Sequence, residues 1–222
     1  EVKGAVICGL ARCTESDIRT CWEAIKDAEK PRIHTFVSTS DIHLQHQIHA
    51  SHDEVIDLTR RMVALSASLC PGDVEFSAMD ASRSDVDFLA QVLEAAIQAG
   101  ATTVNIPDTV GYSMPTEYAA LVDTLYEKVP SLSQVVLSVH CHNDLGVATA
   151  NSLAAVERGA TQVEVAVNGL GERAGNAALE EIAMALITRQ DVLHRPCNIV
   201  TTEIARASRM VSSFTGHAVQ AN

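Results

Sequence analysis

The chain is short of aromatic residues, of positive charge and of paired cysteines, and each shortage closes a class of explanation. Phe, Trp and Tyr make up only 4% of the 222 residues, so a core has to be built from Ala, Val, Leu and Ile. Lys and Arg number 16 against 28 Asp and Glu, a net charge of −12. That balance argues against a nucleic-acid partner, whose phosphates need clustered Lys and Arg, and against an anionic membrane surface. No apolar run approaches the roughly 20 residues that cross a bilayer, and no basic segment followed by an apolar one marks a signal peptide. The 6 cysteines contain no C-x-x-C pair and lack the spacing of a small disulfide scaffold. Free thiols in a reducing compartment are the expectation. The first residue is Glu1 rather than Met, which leads us to expect that the natural start is missing.

What is present is an ordinary globular composition, 47% hydrophobic and 20% charged, with strands and helices in alternation. The apolar stretches 4–10, 33–37, 73–77, 101–106, 135–140 and 162–167 read as strands. Between them, 14–28, 53–69, 85–99, 115–129, 151–158 and 177–188 carry helical periodicity, with a further helix over 203–211. Pro31, Pro71, Gly100, Pro130 and Gly159 supply the stops. Strands that recur about every 30 residues, each followed by a helix, predict βαβ units and a parallel sheet. Two closures compete, an open doubly wound sheet and an eight-stranded barrel. Polar residues gather where five successive strands run out, which suits one face of a barrel. Only six strands are visible, however.

The most informative stretch is 135–146, VVLSVHCHNDLG. In an extended strand alternate side chains share a face, so His140 and His142 point the same way from the end of a buried strand. Two converging imidazoles suit a divalent metal, and Asn143-Asp144 can orient them. The glycine loop 168–176, NGLGERAGN, is not the dinucleotide G-x-G-x-x-G. Its Asn176 reads either as a helix N-cap or as an oxygen ligand. Two His plus oxygen suit Mn²⁺, Mg²⁺, Fe²⁺ or Zn²⁺, with positions open to a chelating substrate. In 105–111, NIPDTVG, Asn105 and Thr109 read either as a plain strand-to-helix turn or as part of the same face. Glu75 and Ser77 share a strand face, as do Glu164 and Ala166, and Glu75 has the alternative of pairing with an arginine inside the barrel. His43, His46, His49 and His52 fall at three-residue spacing along one helical stripe. The solvated-face reading is preferred there, because no carboxylate or cysteine completes a metal set.

The segments RIHTFVSTSDIH, VEFSAMDASRSD, GATTVNIPDTVGY and SVHCHNDLGVATANSLAAVERGATQVEVAVNGLGERAGNAALEE together resemble the 2-isopropylmalate synthases. These belong to the metal-dependent Claisen-condensing and retro-aldol TIM barrels. The resemblance runs in order over nearly the whole chain. It implies an α/β fold, a (β/α)8 TIM barrel lacking here about its first two βα units. The partial barrel would occupy 1–206, and 207–222 would begin a linker. It further implies a metal held by His140, His142 and Asn176, with the family's Asp, from an Asp-Arg-Glu motif on the first strand, absent from this sequence. His34, Ser77 and Asn105 match substrate-binding positions, and Thr109 and Glu75 are the implied catalytic side chains. Met79 stands where the family usually carries a glutamate, which leaves Asp80 or Glu75 as replacements.

The activity so implied is condensation of acetyl-CoA with 2-oxoisovalerate to give 2-isopropylmalate in leucine biosynthesis. Citramalate or homocitrate synthesis is the sister alternative, and a non-catalytic fragment or pseudoenzyme the alternative of another class. The implied cofactor is Mn²⁺ or Mg²⁺, with Zn²⁺ as an alternative. The implied partners are acetyl-CoA and a 2-oxo acid, with no nucleic acid and no membrane. The full-length protein is expected to be a homodimer or homotetramer in the cytoplasm, or in the plastid of a plant or alga. The chain by itself is expected to be inactive.

Overall fold

The computed structural model describes residues 2–219. Six strands follow one another in the sheet in sequence order: β1 Ile7–Arg12, β2 Pro31–Ser38, β3 Val74–Met79, β4 Thr103–Asp108, β5 Val136–Cys141 and β6 Gln162–Glu164. Every pair is parallel. A doubly wound sheet reverses direction at a switch point. An uninterrupted 1-to-6 order has no such point, and it is the order of an incomplete barrel.

The helices are α1 Glu15–Ile25, α2 Asp41–His43, α3 His52–Leu69, α4 Val86–Gln98, α5 Pro115–Lys128, α6 Ala148–Glu157, α7 Leu179–Thr188, α8 Gln190–Leu193 and α9 Ile204–Thr215. Their starts follow local chemistry. Thr14 accepts from the Asp17 N–H at α1, Ser51 and Glu54 form a reciprocal capping box at α3, and Asp85 accepts from the Phe88 N–H at α4. Pro115 opens α5, where its missing N–H costs nothing. The four inner strands bury their apolar face against these helices: Ile33 and Val37 on β2, Val74, Phe76 and Ala78 on β3, Val104 and Ile106 on β4, Leu137 and Val139 on β5.

The opposite face carries polar side chains, and they reveal the curvature. Arg32 of β2 donates to Gln162 of β6 at 2.9 Å, and to Glu75 of β3 at 3.0 Å. Gln162 in turn donates to Glu75 at 2.8 Å and to Ser138 of β5 at 3.0 Å. Strands β2 and β6 are four places apart, roughly 19 Å in a flat sheet. Two side chains cannot meet across that gap, so the six strands must bend into an arc that encloses this polar layer.

Several expected boundaries shift. β1 begins and ends later than 4–10. β6 stops at Glu164 rather than 167, because the chain leaves the ladder and Ala166 then pairs with Ala178 alone. The four histidines do not form a stripe. A π-turn at Leu44–Ile48 follows α2, and His49 adopts left-handed backbone (φ 55°) before α3 begins at His52. His43 lies 3.4 Å from Asp80, His52 stacks on Phe88 and contacts Asp41 at 2.9 Å, and His46 and His49 are exposed. α9 runs across residue 206 without interruption.

Candidate active site

The polar ends of β2 to β6 open on one cavity of about 220 Å³. The strand register explains who meets whom. His34 lies beside Glu75, Phe36 beside Ser77, Ser77 beside Asn105, Pro107 beside His140, and His140 beside Glu164. The cavity is lined by His34, Ser77, Asn105, Thr109, His140 and His142 of the expected set. Leu10, Phe36, Met79 and Pro107 give it an apolar side.

A hydrogen-bonded chain runs through the layer. Asn105 donates to the Ser77 hydroxyl at 2.9 Å, and that hydroxyl lies 2.6 Å from Nε2 of His34. Burial lowers the His34 ring to about 4, so it is neutral near pH 7. The His140 and His142 rings stand edge to face, with centroids 4.8 Å apart. His142 Nδ1 lies 2.6 Å from the Thr109 carbonyl and 2.8 Å from the Arg173 guanidinium; because the carbonyl only accepts, the tautomer that serves it carries Nδ1–H and leaves Nε2 with its lone pair free. Burial, with His140 next to it, lowers the His142 pKa below the ordinary histidine value. Arg173 forks onto Asp144 through two bonds of 2.8 Å and adds a second donor to the Thr109 carbonyl. Three strand-to-helix loops are thereby tied together behind His142.

Asn176 reaches the site through backbone pairing. It faces His142 across an antiparallel bridge, and the Asn143 N–H donates to the Gly175 carbonyl at 2.8 Å. The N-cap of α7 is Ala178, so Asn176 is not the cap that the first reading allowed. Its amide Oδ1 is buried and has no hydrogen-bond partner. A Cβ added at Gly171 would strike that amide, so the glycine is what leaves it room. A buried carbonyl oxygen without a donor is expensive. Asn176 lines a neighbouring cavity rather than the one that holds the imidazoles, but its backbone bridge to His142 keeps it next to them in the fold, and two imidazoles with an amide oxygen are donors that a divalent cation takes.

Two of the expected side chains, Glu75 and Asp80, lie off the cavity wall. Glu75 does not line the cavity. It lies below, 2% exposed, accepting from Arg32 and Gln162, the structural alternative noted for it. Burial and the charge of Glu164 push its carboxyl up to about 7. Asp80 is no replacement for the carboxylate absent at Met79. It is fully buried and accepts from Ser40 at 2.5 Å and from Arg83 at 2.6 Å. The carboxylates that do line the cavity are Glu164 and Glu172. Sequence reasoning gave neither a role, although Glu172 sits in the glycine loop and Glu164 was placed on the right face.

Among the described residues, Cys8, His34 and Glu75 also bring three ligand atoms within 4.8 Å of one another. Burial, together with Glu75, pushes the Cys8 thiol up to about 12. Glu75 in this group is already engaged by Arg32 and Gln162.

A family model described as HMGL-like matches residues 1–211. The chain is 57% identical over its entire length to the 2-isopropylmalate synthases of Pelotomaculum thermopropionicum and Carboxydothermus hydrogenoformans, spanning 44% and 43% of those proteins. It therefore covers less than half the length of the curated relatives it matches. Among solved structures, hydroxymethylglutaryl-CoA lyase from Pseudomonas aeruginosa superposes with a TM-score of 0.78 at 19% identity. That likeness covers 99% of this chain and 73% of the other, and it concerns the fold.

Proposed function

The chain belongs to the HMGL-like family, and from that premise we propose that it is the metal-bearing part of an acyltransferase. The reaction is condensation of acetyl-CoA with 2-oxoisovalerate to give 2-isopropylmalate, the first committed step of leucine biosynthesis. The observation that carries this reading is the pair of imidazoles on a cavity with an apolar side, together with Asn176, whose backbone bridges to His142 and whose amide oxygen is buried without a partner. His140, His142 and Asn176 are the groups that would hold Mn²⁺ or Mg²⁺, with Zn²⁺ the alternative. Such an ion, when bound, supplies Lewis acidity to the ketone of a chelating 2-oxo acid.

The chain's own side chains do the remainder. Asn105, Ser77 and His34 form one hydrogen-bonded line along the cavity wall and orient the polar end of the oxo acid. The Thr109 hydroxyl accepts from the Asp80 N–H at 2.9 Å, which turns its own proton outward, where it can stabilise a developing alkoxide. Leu10, Phe36, Met79 and Pro107 suit a branched alkyl group and give a second carboxylate nothing to pair with. That lining favours 2-oxoisovalerate over 2-oxoglutarate. The setting that fits is a cytoplasmic homodimer or homotetramer of the full-length protein.

The test is to assay the full-length protein with acetyl-CoA and, separately, 2-oxoisovalerate, pyruvate and 2-oxoglutarate, with and without a chelator. Chelator-sensitive release of CoA, fastest with 2-oxoisovalerate, is expected. A clear preference for pyruvate or 2-oxoglutarate would make this a citramalate- or homocitrate-type enzyme instead.

A further inference from the structure

Glu164 is a carboxylate on the last strand with no cation beside it. The register His140↔Glu164 makes the two side chains direct neighbours on the inner face. Oε2 of Glu164 lies 2.9 Å from Nδ1 of His140, and Oε1 lies 3.9 Å from Nδ1 of His34. Among the described residues no Lys or Arg pairs with it. Arg32, the cation of this interior, is taken by Asp73 and Glu75. The Glu164 side chain is only 26% exposed. A largely buried carboxylate that faces imidazoles and lies against the Glu75 carboxyl is costly unless these groups give it a proton donor, and the imidazole of His140 is the one on its own strand pair. His140 has the matching need. Its Nδ1 is buried and makes no other hydrogen bond, and the 2.9 Å contact lies off hydrogen-bonding geometry. Contacts of this kind tighten once a ligand is in place.

We infer that Glu164 is a positioning residue for His140. Its carboxylate accepts the Nδ1–H, fixes that tautomer, and turns the Nε2 lone pair towards a divalent cation. The inference rests on the function proposed above, in which His140 is a ligand. The two histidines are then served differently. The Thr109 carbonyl and the Arg173 guanidinium back His142, whereas an anion backs His140 and makes it the stronger electron donor.

Titration calorimetry of the full chain with Mn²⁺ tests this. Glu164→Gln keeps the shape and removes the charge. It is expected to weaken Mn²⁺ binding about 10- to 100-fold, to shift the visible bands of the Co²⁺-substituted protein, and to leave the metal-free melting temperature nearly unchanged. His140→Ala is the reference. If it binds Mn²⁺ as well as the unsubstituted chain, the ligand reading itself fails. If His140→Ala loses Mn²⁺ while Glu164→Gln binds it undiminished, this inference alone is overturned. Should Glu164→Gln not fold, the ¹⁵N resonances of His140 in the unsubstituted metal-free protein decide. The Nδ1–H tautomer supports the inference, and the Nε2–H tautomer overturns it.

Discussion

Burial, with Glu164 adding its charge, pushes the Glu75 carboxyl up to about 7, although Arg32 opposes the shift. The folded chain therefore holds that proton more tightly than the unfolded chain does. The stability it contributes is full at pH values below the ordinary glutamate value and is lost as pH rises through 7. His34 works in the opposite sense. Its ring is lowered to about 4, so its contribution is present above the ordinary histidine value and is lost as pH falls towards 4. Glu75→Gln removes only the first dependence. Measured by urea unfolding, this variant should gain on the unsubstituted chain between about pH 5 and pH 8, by on the order of 1–3 kcal/mol. A difference that stays constant across that range would contradict the raised carboxyl. His140 and His142 were legible because alternation along a strand is a local signal. An arginine partner for Glu75 was among the alternatives, but Gln162 was not, since it meets Glu75 only through the curvature of the sheet.

The glycine loop after β6 is the element on which the site depends most. Asn168 adopts left-handed backbone (φ 61°), and its amide donates to the Ser208 carbonyl at 3.0 Å and to Ser212 at 3.3 Å, fastening the loop to α9. Gly175 has φ 93°, and a Cβ there would run into the Gly169 carbonyl. Gly175→Ala is accordingly expected to cost about 1–3 kcal/mol and to lower the melting temperature by several degrees, about 2–4 °C per kcal/mol at this size. Hydrogen exchange should localise the loosening to the loop, and Mn²⁺ affinity should fall with it. An unchanged exchange pattern in the loop would show that the glycine is dispensable. The helices and strands flanking this loop could be read from periodicity, with ends displaced by a few residues. The break at His49 and the early end of β6 could not, because the side-chain spacing in both segments continues past the point where the backbone leaves the helix or the ladder.

At the scale of the whole molecule, β1 and β6 are the two edges of the arc, and Leu10 on β1 is 64% exposed. Unpaired strand edges with apolar neighbours favour association. Light scattering of the 222-residue chain on its own should therefore show concentration-dependent assembly. The same preparation should not release CoA from acetyl-CoA with any of the three oxo acids, and chelator-sensitive turnover would refute that expectation. Parallel βαβ architecture was readable from the alternation alone. The choice of a barrel over an open sheet came from resemblance, and its physical sign is the contact between Arg32 and Gln162. That bond joins residues 130 apart in sequence, so it cannot form until β6 and the three intervening strands have docked. Its loop-closure entropy falls at the end of the folding route. It belongs among the contacts whose loss speeds unfolding while leaving the folding rate almost untouched. The polar layer is thus a kinetic latch: it governs how long the arc stays closed rather than how fast it closes.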